Sequence, residues 1–291
     1  MSRIVFVHGM RQEGRDAAEL RQAWIQALDR SWTASGVAQP EFTVEMPYYG
    51  DTLHRLTEEL RGSARPVTAK GTGDAGEFQP MEEALLREIA AGYGVTDAEV
   101  RAELGSEVVA KGPANWEWVQ GIARVLEHRI PAFRTVGLRF VRQVDAYLTR
   151  PHIRAAVDAL VEPALQGSPD VVIAHSLGSI VTYRLLRRMA GNTHVRLLLT
   201  VGSPLGINAV RDRLRPPSLE IPPGISRWIN GADERDYVAL QSRLDESSFC
   251  PGIENLPDFR NPRDDAHSIL GYLADKRISQ LVSEALTADP G

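Results

Sequence analysis

The chain contains a single cysteine, Cys250, which excludes an intramolecular disulfide and a cysteine-based zinc cluster. With no histidine near it in sequence, Cys250 reads as a small packed residue rather than a nucleophile. No apolar run approaches the roughly 20 residues that span a bilayer. Charge of one sign is also scarce: a net charge of −5 over 291 residues gives no electrostatic case for nucleic acid or a strongly anionic membrane as partner. There is no H-E-x-x-H and no paired-histidine spacing, so no metal is expected. Gly71 and Gly73 do not make a nucleotide fingerprint, because no strand precedes them and no helix follows directly. The N-terminus runs straight into an apolar segment without a charged-then-apolar signal, which leads to the expectation of a cytoplasmic protein. At 43% hydrophobic and 24% charged residues, the remaining composition is that of a globular chain long enough to bury a full core.

What is there is a rhythm of short apolar runs and helical stripes. Arg3 to Val7 is a continuous apolar run of the kind that suits a parallel strand covered on both faces. Leu20, Trp24 and Leu28 then repeat at helical spacing between Ala17 and Trp32, and Glu41 to Met46 alternates polar with apolar. Together these form a βαβ unit. The strand pattern stops at about residue 52 and returns after 150. In between, residues 62–80 read as a mobile loop, 81–91 and 97–104 as short helices, and two apolar faces follow: Trp116 to Ile130, and Phe133 to Tyr147 after Pro131. A helix from Pro151 to Leu165 resumes the alternation. Strands follow at Val171 to Ala174, Val195 to Val201 and Ile225 to Asn230; residues 245–267 read as loop and Ser268 to Leu286 as the terminal helix. The fold class is therefore α/β, a mostly parallel sheet with helices on both faces. Residues 1–51 and 151–291 are expected to form its core, and 52–150 a helical insertion in the same domain.

In such sheets the working groups collect just past the carboxyl ends of the strands. Val171-Val172-Ile173-Ala174-His175-Ser176-Leu177-Gly178 reads as strand, sharp turn and helix, with Ser176 at the turn between small neighbours. This is the pattern of a nucleophile elbow, G-x-S-x-G, with Ala174 in place of the first glycine. The plainer alternative makes Ser176 a helix N-cap. The other strand ends carry His8-Gly9-Met10, Pro47 to Asp51, Gly202-Ser203 and Asp233 to Asp236, and one late histidine, His267, stands before the last helix. A serine hydroxyl needs a neutral imidazole to take its proton, and the imidazole needs a carboxylate to hold its tautomer. Ser176, an aspartate at 233 or 236, and His267 supply these in that order.

The chain resembles the α/β-hydrolase superfamily in its lipase- and esterase-like branch. The resemblance rests on His8-Gly9, the A-H-S-L-G-S elbow, the G-S-P-L at 202–205, the W-I-N-G-A-D-E-R-D-Y-V segment at 228–238 and the D-A-H-S at 265–268 with Gly271-Tyr272-Leu273. It implies Asp236 as the acid, two residues before Val238, with Asp233 as a turn residue. It also implies an oxyanion hole from the backbone N–H groups of Leu177 and Met10, with His8, Gly9, Arg11, Tyr48, Tyr49 and His175 around the substrate. The chain departs from the family pattern in two ways: it lacks antiparallel strands before the first parallel one, and the 202–224 connection is too short for a cap. The 52–150 insertion is thus expected to be the lid, with Trp116, Trp118, Phe133 and Phe140 joining Tyr48 and Tyr49 in an apolar acyl pocket. The expected activity is hydrolysis of a small ester or lipid-like substrate through an acyl-enzyme, without cofactor. An acyltransferase with the same triad, or a non-catalytic binding protein keeping the fold, are the alternatives. Oligomeric state, acyl length and head group leave no mark in the sequence.

Overall fold

A computed structural model describes residues 2–63, 79–105, 116–130 and 133–288. Most of the loop expected at 62–80, and Pro131, lie outside the described residues, as does the side chain of Trp116. The strands are β1 (Ser2–Val7), β2 (Phe42–Glu45), β3 (Val171–His175), β4 (Val195–Val201), β5 (Ile225–Gly231) and β6 (Glu254–Leu256). The helices are α1 (Ala17–Ser35), α2 (Gly50–Ser63), α3 (Pro80–Gly92), α4 (Asp97–Leu104), α5 (Trp116–Arg129), α6 (Leu138–Thr149), α7 (Pro151–Leu165), α8 (Leu177–Arg188), α9 (Asn208–Leu214), α10 (Ile269–Ala274) and α11 (Lys276–Thr287). The chain divides into two compact units, Met1–Gly50 with Val157–Gly291, and Asp51–Ala156.

The first unit holds a six-stranded, all-parallel sheet in the order β2-β1-β3-β4-β5-β6. The central strands β1, β3 and β4 are mainly apolar because both faces are covered. Ile4, Phe6, Val171, Ile173, Leu197 and Leu199 pack under α1, α10 and α11, with Trp24, Leu28, Tyr272, Leu273 and Ile278 from those helices. Neighbouring residues in the same strands, Val5, Val172 and Leu198, are fully buried as well. Trp228 on β5 meets Tyr183 of α8 and Phe249, the Tyr183 and Trp228 ring centroids 5.8 Å apart. β1 is followed in sequence by its neighbour β2 on one side, and the chain then returns to build β3 to β6 on the other. The topological switch point therefore falls between β1 and β3, where open α/β sheets leave a crevice at the carboxyl edge.

The second unit is helical. α4 starts at a capping box in which the Thr96 hydroxyl accepts from the Glu99 amide at 3.3 Å while the Glu99 carboxylate accepts from the Thr96 amide at 2.8 Å. It crosses α5 at Gly121, where a Cβ would lie 2.8 Å from Val100 and 2.9 Å from Leu104. Trp118, Phe133 and Phe140 are buried. Residues Phe133–Gly137 form a π-helical turn ahead of α6, with the Phe133 ring seated against the bare Gly137 backbone.

Three elements differ from the sequence reading. A sixth strand, Glu254–Leu256, lies in the expected loop 245–267; three residues are too few to show a period. The terminal helix is two helices, because Asp275 takes an extended conformation (ψ 127°) and its carboxylate caps α11 through the Arg277 amide. α2, Gly50–Ser63, follows β2 almost directly.

α8 sits unusually close to β1. A Cβ on Gly178 would stand 2.3 Å from the Val7 carbonyl oxygen and 2.5 Å from that of His8. Both contacts are backbone and cannot swing aside. Gly178→Ala is therefore expected to lower the unfolding free energy by about 1–3 kcal/mol, the usual effect of overpacking. A urea titration reads it as a lower midpoint at constant slope; an unchanged midpoint would contradict the tight approach.

Candidate active site

Because all six strands are parallel, their carboxyl ends share one edge, and the expected residues assemble there. Ser176 follows β3 directly. It adopts φ 54°, ψ −131°, a positive-φ conformation that side-chain-bearing residues rarely accept. Its backbone is held on both sides: the amide donates to Val201 O at 3.2 Å, and the carbonyl accepts from the Ser179 amide at 2.9 Å and hydroxyl at 2.6 Å. An N-cap serine has β-region dihedrals and a side chain bonded to the first helical amides. Ser176 has neither feature, and its side chain makes no cap hydrogen bond to α8. Its Oγ is fully buried and has no hydrogen-bond partner among the described residues. Gly9 makes this possible: a Cβ there would lie 2.6 Å from Ser176 Cβ and 3.1 Å from Oγ.

His267 lies on the loop before α10, and its Nδ1–H donates to Asp236 Oδ2 at 2.7 Å. That assignment leaves Nε2 without a proton in the neutral ring. Nε2 is buried and also has no hydrogen-bond partner among the described residues. Ser176 Oγ and His267 Nε2 are thus two orphaned polar atoms at the same sheet edge, not hydrogen-bonded to each other. The histidine is tied to the elbow through the residue before the serine. The His175 Nε2–H donates to the His267 carbonyl at 3.0 Å, and the two ring centroids are 4.5 Å apart.

The two carboxylates after β5 have separate surroundings. Asp236 Oδ1 accepts from the Val238 and Ala239 amides at 2.9 and 3.4 Å, and Oδ2 accepts from His267 and from the Tyr272 hydroxyl at 2.8 Å. Asp233 binds the Arg235 guanidinium through both oxygens, at 3.0 and 2.6 Å, and accepts the Asn261 amide at 2.7 Å. Burial works against its charge, but the Arg235 side chain and the two amides outweigh that and hold the carboxyl below its ordinary range. Asn261 in turn donates from Nδ2 to the carbonyls of Ala266 and Ser268, at 2.8 and 3.1 Å, on either side of His267. Gly202 (φ 57°) lets the pair close up: a Cβ there would lie 2.9 Å from Asp236 Oδ2 and 3.1 Å from His267 Nδ1. Sequence reasoning noted Gly202 and Tyr272 only as parts of short motifs and missed Asn261, whose role is set by contacts with distant residues.

The loop after β1 is equally well supported. Met10 is buried, and no hydrogen bond from its amide or from that of Leu177 is seen among the described residues. Gln12 Nε2 donates to the Met10 carbonyl at 3.0 Å, while the Tyr48 hydroxyl donates to Gln12 O. Arg11 is exposed and also sits at positive φ, 60°. Tyr49 is fully buried: its ring stacks on His8 with centroids 4.1 Å apart, and its hydroxyl donates to His8 O. His8 Nδ1–H donates to Gly9 O at 2.7 Å and Nε2 accepts the Tyr49 amide at 3.2 Å, which fixes the neutral tautomer. Burial pushes its imidazole down to about 4 against a weaker upward pull from Gly9 O. Burial, then the neighbouring His267, push His175 down as well. Cys250 is buried, and burial pushes its thiol up to about 11.

No protein-family model matches the chain, and no curated protein or solved structure matches it either. No helix among the described residues is long and apolar enough to cross a membrane.

A histidine kept neutral by burial stabilises the fold above its unfolded value of 6.5 and loses that contribution as pH falls towards the folded value of about 4. In this window the unfolded chain binds a proton that the native chain does not. His8 alone is expected to account for roughly 3 kcal/mol of stability lost across it. Urea titrations at stepped pH should give a steeper slope for wild type than for His8→Gln between these limits. Superimposable slopes would contradict the buried neutral tautomer.

Proposed function

We propose that the protein is a serine hydrolase of the α/β-hydrolase kind, cleaving carboxylic esters through an acyl-enzyme. One observation carries the reading. A buried serine hydroxyl without a partner among the described residues, at a positive-φ turn, shares a sheet edge with the free Nε2 of a histidine whose Nδ1 is bonded to a buried aspartate.

In this reading Ser176 Oγ attacks the ester carbonyl carbon while His267 Nε2 takes its proton. Asp236 holds the imidazole in the Nδ1–H tautomer and stabilises the imidazolium that forms. The carbonyl oxygen, now carrying the negative charge, accepts from the Met10 and Leu177 amides, each worth about 3 kcal/mol to the transition state in comparable hydrolases. The imidazolium then protonates the leaving alkoxide oxygen as the C–O bond breaks, leaving an acyl group on Ser176. Water repeats the sequence and releases the acid. A site this deeply buried strengthens each of these electrostatic interactions by excluding bulk water. Within this reading residues 52–150 take the part of a lid and select apolar acyl groups, so turnover of nitrophenyl esters is expected to rise with chain length before it falls.

A fluorophosphonate probe is expected to label wild type and not Ser176→Ala, with the adduct mass on the peptide containing Ser176. Asp236→Asn should lower ester turnover by about 10⁴, the loss seen when a triad histidine is held in the wrong tautomer. Asp233→Asn should lower it far less. Absence of labelling in folded wild-type protein would overturn the reading in favour of a binding protein, and equal losses at Asp233 and Asp236 would overturn the choice of acid.

A further inference from the structure

We propose that Tyr272 is a positioning residue: its hydroxyl shares Asp236 Oδ2 with the His267 imidazole, and that sharing limits how strongly the carboxylate holds the imidazole proton. The inference rests on the triad reading above. Tyr272 lies on α10, five residues after His267, and is fully buried with its ring edge-on to Phe259 at 5.2 Å. Its oxygen accepts the Asp233 amide at 2.9 Å, so its one hydrogen is directed to the remaining acceptor, Asp236 Oδ2, at 2.8 Å. His267 Nδ1 reaches the same oxygen at 2.7 Å.

Two donors on one carboxylate oxygen compete for the same electron density. The phenol weakens the Nδ1–H···O bond and so leaves less stabilisation for the imidazolium. Burial, then the Asp236 charge, push the phenol far above its ordinary range, so it stays a donor at every working pH. The other groups facing the pair are His175 and Tyr237, with ring centroids 4.5 and 6.3 Å from that of His267, and Asp233, which is ion-paired to Arg235. The consequence is an imidazole N–H held less tightly than the aspartate alone would hold it.

The test uses the full chain with two replacements at 272: Tyr272→Phe, which removes the hydroxyl, and 3-fluorotyrosine, which keeps the shape and makes the phenol a stronger donor. Two readouts separate positioning from packing: the NMR resonance of the His267 Nδ1 proton, and the pH profile of kcat/KM on a nitrophenyl ester. In Tyr272→Phe the proton is expected to move downfield and the acid limb of the profile to move up by roughly half a pH unit. KM should stay within about twofold. Fluorotyrosine should shift both readouts the opposite way. If folded Tyr272→Phe keeps the wild-type resonance and acid limb, the inference is overturned while the triad stands. Should Tyr272→Phe fail to fold, an unmoved resonance in the fluorotyrosine protein overturns it equally. If wild type takes no fluorophosphonate and cleaves no ester, the triad reading fails, and the proton resonance still decides the shared oxygen.

Discussion

Everything at the sheet edge depends on one strained backbone position, Ser176 at φ 54°. A non-glycine residue there costs on the order of 1–2 kcal/mol. The surroundings hold it in place: the Val201 carbonyl grips the amide, and the Ser179 amide and hydroxyl grip the carbonyl. Gly9 removes a side chain that would collide with Ser176, and Gly178 one that would collide with the backbone at the end of β1. The strain has a directional result. It withdraws the hydroxyl from the helix amides it would otherwise cap and leaves it unbonded in a buried setting. A buried polar atom without a partner is costly, and among the described residues this edge keeps two of them, Ser176 Oγ and His267 Nε2.

The second organising feature is a polar network that ties the histidine loop to the acid turn. Asp233, Arg235 and Asn261 form one branch, which brackets His267 through the Ala266 and Ser268 carbonyls. Asp236 and Tyr272 form the other, joined to the first where the Asp233 amide meets the Tyr272 oxygen. The two aspartates three residues apart therefore divide the work. One binds an arginine and braces the loop, and the other faces the imidazole. This buried polar network connects two long loops that carry little secondary structure of their own.

Much of the core unit was legible because a parallel sheet covered on both faces writes continuous apolar runs, and helices over it write a 3.6-residue stripe. Arg3 to Val7 and Leu20, Trp24, Leu28 are clear cases, and the strand-turn-helix around Ser176 could be read from small residues alone. β6 was not legible, since Glu254–Leu256 carries no pattern and exists only by pairing with β5. The break at Asp275 was hidden because the apolar stripe continues across it. At the candidate site, spacing could not separate Asp233 from Asp236, as both follow β5 within one turn of chain. Their difference is made by Arg235 and Asn261 on one side and Tyr272 on the other. Gly202 likewise reads as a turn glycine until the close approach of Asp236 and His267 is seen in space.

The central claim is that the strained Ser176 hydroxyl is the atom that becomes acylated. Rapid mixing with a nitrophenyl ester tests it directly, with nitrophenolate followed on the millisecond scale and quenched samples mapped by mass spectrometry. The expected result is an initial burst approaching one nitrophenolate per chain, with the acyl mass on the peptide that contains Ser176. Linear release without a burst and no acyl mass on that peptide at any time, or an acyl mass on another residue, would contradict the account.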